Sequence, residues 1–170
     1  MKCSKRRVTL SLAEQSVSEL LEAYSQILNE LKSRDVLRTF NSPTGDYAEW
    51  LFCKCFSWDQ SPNSQKGFDA LDQQGLRFQI KAIRLIGKSK SRQMSAIRDL
   101  SAFDALAGIV FDENFKVLRA AIIPANIVKE CSRFTAHTNS YRFYIRDSVW
   151  GQEGVKDVTS LLLSTQGQSD

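Results

Sequence analysis

The stretch Gly67–Lys81, GFDALDQQGLRFQIK, places two short apolar-flavoured runs around a polar turn. A three-residue hairpin loop is commonly a type I turn closed by a left-handed residue, and glycine suits that last position. Taking Gln73-Gln74-Gly75 as the loop pairs Asp72 with Leu76, Ala70 with Phe78, Asp69 with Gln79 and Phe68 with Ile80. Side chains alternate along strands. One face therefore carries Phe68, Ala70, Leu76, Phe78, Ile80 and Ala82, and the other Asp69, Arg77, Gln79 and Lys81. A two-residue loop would shift the pairing by one and mix polar with apolar on both faces, which sheets resist. The expected strands are roughly 67–72 and 76–85. Asp69, Gln79 and Lys81 then converge on one patch, with Asp69 and Gln79 as cross-strand neighbours.

On the N-terminal side, Asn41-Ser42-Pro43 reads as a helix start with proline in the first turn. The GDYAEWLFCKCF segment that follows is apolar almost all round, the pattern of a buried helix. Glu49 lies in its middle. A carboxylate buried there needs a partner, a ligand or a proton. A helix just before the hairpin can aim Glu49 at Asp69 and Gln79. Two carboxylates and an amide oxygen are hard ligands that suit Mg2+ or Mn2+.

At 170 residues the chain is read as a single domain, 1–170, large enough for its own core. It has no run of about eighteen apolar residues, so no membrane span is expected. The basic start MKCSKRRVTLSLAEQ lacks a following apolar stretch, which argues against a secretory signal and for a cytoplasmic protein. Cys3, Cys53, Cys55 and Cys131 form no C-x-x-C pair and His137 is the only histidine, so structural zinc is not expected.

Ser11-Leu-Ala-Glu14 has the form of a capping box opening a helix to about Lys32. Residues 1–40 are thus a helical extension, whose row Val17, Leu21, Tyr24, Leu28 and Leu31 packs on the domain body or on a second copy. Ala105–Phe111 and Lys116–Ile123 flank the turn Asp112-Glu113-Asn114 as a second hairpin. A short helix from Pro124 through Phe134, a strand over Ser140–Ile145, a helix over Val155–Leu163 and a frayed tail over 165–170 complete the chain. The class is α/β (α+β), a mixed sheet of four to five strands flanked by helices.

Residues 77–98 hold Arg77, Lys81, Arg84, Lys88, Lys90, Arg92 and Arg98 and no acid. A stripe of one sign suits a polyanion. The segment 86–98 reads as a basic loop with some helix.

Glu49 on a helix, Asp69 at a strand end in GFDA, and Gln79-Ile80-Lys81 on the next strand follow one another in an order that resembles the PD-(D/E)XK nuclease superfamily. The resemblance covers about residues 43–147, and it implies a restriction-endonuclease-like core of αβββαβ order. Gln79 stands where many members have an acid, and this variant is similar to the Mrr-like restriction enzymes. The resemblance implies a Mg2+- or Mn2+-dependent endonuclease acting on DNA, RNA remaining open as a substrate, with a restriction or defence role. Its catalytic residues would be Asp69, Gln79, Lys81 and Glu49. Asp69, the Gln79 amide oxygen, the Ile80 carbonyl and Glu49 would hold the metal, while Lys81 steadies the attacking water. Lys66, Arg84, Lys88, Lys90, Arg92 and Arg98 would contact the phosphates, and cutting both strands would call for a homodimer. The alternative is a catalytically inactive nucleic-acid-binding module on the same fold, to which the missing acid at Gln79 points.

Overall fold

In the computed structural model of the chain, residues 11–62, 67–88 and 91–168 are described. The chain divides into two units between Phe40 and Asn41. The first is built on helix α1 (Val17–Ser33). Its capping box is Ser16 with Glu19, in which Glu19 N–H donates to Ser16 Oγ at 3.3 Å and Ser16 N–H to Glu19 Oε2 at 2.8 Å. Ser11 instead precedes a short 3-10 turn, Leu12–Glu14, and its side chain caps nothing. Both serines have a glutamate three residues on, and only the second is continued by an unbroken helical run.

The second unit is a six-stranded mixed sheet with helices. Helix α2 (Pro43–Phe56) begins at the expected proline. It is followed by β1 (Asp59–Gln60), β2 (Ala70–Leu71), β3 (Arg77–Arg84), β4 (Ala105–Phe111), β5 (Val117–Pro124), α3 (Ala125–Glu130), β6 (Ser132–Thr135), β7 (Ser140–Phe143), β8 (Lys156–Asp157) and α4 (Thr159–Gly167). The main sheet runs β1-β2-β3-β4-β5-β8, and β6 with β7 forms a separate ribbon. Only β3 and β4 are parallel. The strand count exceeds the expected four to five because β1 and β8 are two residues long, too short for an alternating pattern.

Two apolar layers enclose the sheet. On one face α2 and α4 bring Ala48, Leu51, Phe52 and Leu162 onto Phe78, Ile80, Ile109 and Phe111. Trp58 stacks on Phe78 with ring centroids 3.8 Å apart. The other face buries Leu106, Val110, Ala121 and Ile123 beneath α3, Met94, Ile97, Phe143 and Ile145. The 91–97 segment contains no helix. It runs extended, with Met94 N–H on Phe143 C=O at 2.9 Å and bridges from Gln93 to Tyr144 and from Ile97 to Tyr141.

The first hairpin has the expected register, Ala70 opposite Phe78 and Leu71 opposite Arg77. Gly75 takes φ +83° and its N–H closes the turn on Asp72 C=O at 3.0 Å. Beyond Ala70 the pairing departs from a regular ladder. Asp69 N–H donates to Phe78 C=O at 2.7 Å, so that Asp69 and Ala70 both lie against Phe78, the geometry of a bulge. A bulge reverses the facing of what precedes it. Phe68 accordingly packs in the Met94–Phe143 layer and not with Ala70, and the strand expected over 67–72 shrinks to Ala70–Leu71. Leu76, at the turn, is exposed.

Three further boundaries move. Ser132–Phe134, expected inside a helix, belongs to β6 and pairs with β7 because α3 ends at Glu130. The final helix starts later, at Thr159. The expected fray is not seen at Gln166, whose Nε2 donates to Tyr47 Oη at 2.8 Å and Phe115 C=O at 2.7 Å while its Oε1 accepts from Val117 N–H at 3.1 Å.

Candidate active site

Strand β3 supplies Gln79 and Lys81, and its hydrogen-bond parity sets the site. Arg77 C=O accepts from Asp104 N–H at 2.8 Å and Leu85 N–H donates to Phe111 C=O at 2.9 Å. The odd-numbered peptide groups of β3 therefore serve β4, and the even-numbered ones face the opposite edge. On that edge Ile80 N–H donates to Asp69 Oδ2 at 2.7 Å, a side chain standing where a backbone carbonyl would continue the ladder. The Ile80 carbonyl is turned to the same edge.

Gly67 fixes the next element. Its φ is +100°, and a Cβ there would lie 2.5 Å from Ala102 Cβ, so only glycine fits. Its carbonyl accepts from Gln79 Nε2 at 3.3 Å. That bond orients the amide and leaves Gln79 Oε1 buried without a hydrogen-bond partner. An unsatisfied buried acceptor costs about 1–3 kcal/mol. An oxygen held in this way is suited to a ligand that supplies positive charge.

Glu49 comes from α2, where its Oε2 accepts from Gln60 Nε2 at 3.0 Å. Gln60 pairs with Ala70 in the sheet, so the glutamate is tied to the strand beside Asp69. The groups do not share one strand face as the hairpin pattern suggested. Helix α2 covers the face of Phe78 and Ile80, and Gln79 and Lys81 leave the other. Across the edge that β2 vacates, the charges of Asp69 and Glu49 reach Lys81. Lys81 is half-buried, and burial pushes its ammonium below the usual lysine pKa, opposed by the charges of Asp69 and Glu49. Both carboxylates are thus close enough to act on the lysine.

An open cleft of ≈ 470 Å³ lies against Gln79 and Lys81 and is completed by Gly67, Ala96, Arg98, Asp99 and Ala102. Asp99 is held by Ser101, from N–H at 2.8 Å and Oγ at 2.6 Å, and these bonds lower its carboxyl pKa. Of the expected phosphate contacts, Arg98 lines this cleft. Lys66 and Lys90 lie outside the described residues. Lys88 is exposed in the turn after β3 and does not line the cleft. Arg84 is turned to the opposite face, its guanidinium 4.2 Å over the Phe115 ring, because even-numbered side chains of β3 face α2. Arg92 is half-buried and its carbonyl accepts from Ile145 N–H at 2.9 Å, which makes it part of the packed segment under β7.

The donor types present fit a small hard cation: the carboxylates of Asp69 and Glu49, the orphaned Gln79 Oε1 and the Ile80 carbonyl. Among the described residues no three His, Cys, Asp or Glu side chains come together as a metal-holding group, so two of the four donors are neutral. Sequence reasoning missed Gln60, Gly67 and Asp99. Only Gly67 left a trace, as the glycine immediately before a candidate aspartate strand. No protein-family model matches the chain, and comparison with curated proteins gives no match.

Proposed function

We propose that the chain is a metal-dependent endonuclease hydrolysing DNA phosphodiester bonds, built on a restriction-endonuclease-like core of PD-(D/E)XK type with glutamine in the acidic position. The observation that carries the reading is the buried Gln79 Oε1 without a hydrogen-bond partner, one residue before the Ile80 N–H that Asp69 takes at the vacated edge of β3. Asp69, Glu49, Gln79 Oε1 and the Ile80 carbonyl would hold Mg2+ or Mn2+, which supplies Lewis acidity toward the phosphate. Lys81 orients the attacking water and places positive charge against the charge that develops on the phosphate oxygens. Arg98 positions the backbone without reading sequence. Cutting both strands takes two such sites, so a homodimer is the proposed working species.

Supercoiled plasmid incubated with Mg2+ or Mn2+ tests this. Wild type is expected to nick it and chelation to stop the reaction. Asp69→Ala and Lys81→Ala should each slow nicking on the order of 10²–10³-fold. Equal nicking by all three proteins overturns the assignment.

The low negative charge of the donor set favours one second reading, a binding module that no longer cleaves. It predicts DNA binding that is intact in the wild type and indifferent to Mn2+.

A further inference from the structure

The β6–β7 ribbon carries a feature the candidate active site does not use. Its register sets Arg133 directly opposite Arg142, between the pairs Ser132–Phe143 and Phe134–Tyr141. Phe143 is fully buried, so the alternate pair Arg133–Arg142 faces outward. Like charges directly opposite each other on a ribbon destabilise it. Arg146, just beyond β7, adds a third guanidinium to the same ≈ 700 Å³ cleft, which Tyr144, Phe134 and Glu130 also line. Three positive groups thus meet one carboxylate, and among the described residues none of the three arginines is in an ion pair. Among the described residues the like-charge pair Arg133–Arg142 has no counter-ion in the ribbon, and a polyanion would supply one.

The aromatic content narrows the ligand. Tyr144 Oη donates to Gln93 Oε1 at 2.8 Å, which fixes the ring, and the Arg146 guanidinium lies 5.0 Å from the ring centroid. Phe134, half-exposed, sits at the rim with its ring 5.1 Å from that of Tyr141. Held aromatic rings among guanidiniums are how unpaired nucleotides are bound: bases stack and phosphates take the fork-shaped donors. A cleft of this size falls within the range of about 300–1,000 Å³ that admits a compact ligand. Paired bases within a duplex would offer the rings no open face.

We infer that the Arg133–Arg142–Arg146 cleft is a second nucleic-acid site that holds a single-stranded segment, by its phosphates on the guanidiniums and a base against the aromatic rim. The choice of nucleic acid as the polyanion rests on the proposed nuclease reading.

The test uses a fluorescein-labelled single-stranded DNA and the blunt duplex of the same sequence, in chelator so that nothing is cut. Arg133→Gln/Arg142→Gln should weaken single-strand binding about tenfold or more. It should also lower the slope of log affinity against log salt by about 1.4, two contacts at about 0.7 each. The duplex should lose less. Because the substitution removes a like-charge pair, the melting temperature should not fall. Arg146→Gln, outside both strands, is a second variant expected to weaken single-strand binding with the same preference. Arg133→Lys/Arg142→Lys should keep most of the salt slope. Unchanged single-strand affinity in the glutamine variants, or a loss no greater than for the blunt duplex, overturns the assignment. Cleavage in Mg2+ is measured separately. A wild type that binds through these arginines but never cuts would remove the nuclease reading and leave the cleft, whereas cutting with no arginine effect would do the reverse.

Discussion

In the β2–β3 and β4–β5 hairpins an aspartate builds the same corner. Asp72 Oδ1 accepts from Gln74 and Leu76 N–H, each at 2.9 Å, and Asp112 Oδ1 from Asn114 and Lys116 N–H, each at 2.8 Å. Each turn ends in a left-handed residue, Gly75 at φ +83° and Phe115 at φ +62°. The ladders then differ. β4 and β5 pair from Phe111 and Val117 to Ala105 and Pro124, with a single irregularity at Val110 and Phe111. β2 and β3 pair over two residues, after which the Asp69 carboxylate takes the Ile80 N–H. The long ladder is the centre of the core, where both faces of β4 are buried. In the short one, a rung that would have added stability is given to a side chain, and Asp69 and Glu49 lie close enough for their charges to act on Lys81. Identical turn chemistry thus leads to a full ladder in one place and, in the other, to the opened edge on which the proposed site rests.

The largest contrast should come from the aspartates themselves. Asp69→Asn is expected to lower plasmid cleavage on the order of 10²–10³-fold. Asp112→Ala should leave cleavage intact and lower unfolding stability in urea by about 1–3 kcal/mol, for two lost hydrogen bonds. If Asp112→Ala cuts as poorly as Asp69→Asn, the division of labour between the hairpins is gone.

Lys81→Met should slow cleavage on the order of 10²–10³-fold without lowering stability near neutral pH, because burial of the ammonium is the main cause of its lowered pKa. The sign follows from linkage. The folded protein binds this proton less tightly than the unfolded chain, so wild-type stability rises with pH, from the depressed pKa up to the ordinary value of 10.5. Urea unfolding across the alkaline range should show that rise in wild type and not in Lys81→Met. Parallel curves would place Lys81 in water.

A smaller effect is expected at the corner. Gly75 has open space about its Cβ position, so Gly75→Ala should cost only the left-handed penalty of about 1–2 kcal/mol in thermal unfolding, with cleavage retained. A larger loss would mean that the turn governs register.

The smallest belongs to Asp104, which does for β3 on the β4 side what Asp69 does on the open side. Its carboxylate takes the Arg77 N–H at 2.9 Å, but it also engages the Arg77 guanidinium, at 2.9 and 3.1 Å. The hydrogen bonds from Arg77 hold its pKa down at about 2, and the pair is well exposed. Asp104→Asn should cost less than about 1 kcal/mol at neutral pH. The difference is present above the ordinary value of 3.8 and disappears as pH falls through about 2. Acid titration of the two proteins by circular dichroism checks it.

Much of this was legible in the sequence where local chemistry dominates. Gly75 announces the turn and hence the Ala70–Phe78 register, Pro43 the start of α2, and the apolar runs the β4–β5 hairpin. Phe68 was misplaced because one backbone bond, Asp69 N–H to Phe78 C=O, inserts a bulge that no residue type announces. The 91–97 segment looks like a polar loop because its pairing partner, Tyr141–Tyr144, is distant in the chain. The spacing of Asp69, Gln79 and Lys81 marks them as candidates, whereas the clamp of Gln60 on Glu49 depends on a two-residue strand without a pattern. The charge stripe was the least reliable guide. Charge says nothing of facing, and Arg84 and Arg92 turn to packing while Arg133 and Arg142, outside the stripe, face outward together.

Asp69, Glu49, Gln79 Oε1 and the Ile80 carbonyl are proposed to form a seat for a divalent cation. Mn2+ titration followed by electron paramagnetic resonance, on wild type, Asp69→Asn and Asp104→Asn, tests it without requiring catalysis. One Mn2+ site is expected in wild type and in Asp104→Asn, and Asp69→Asn should lose it. No binding by wild type, or equal binding by all three proteins, would contradict it.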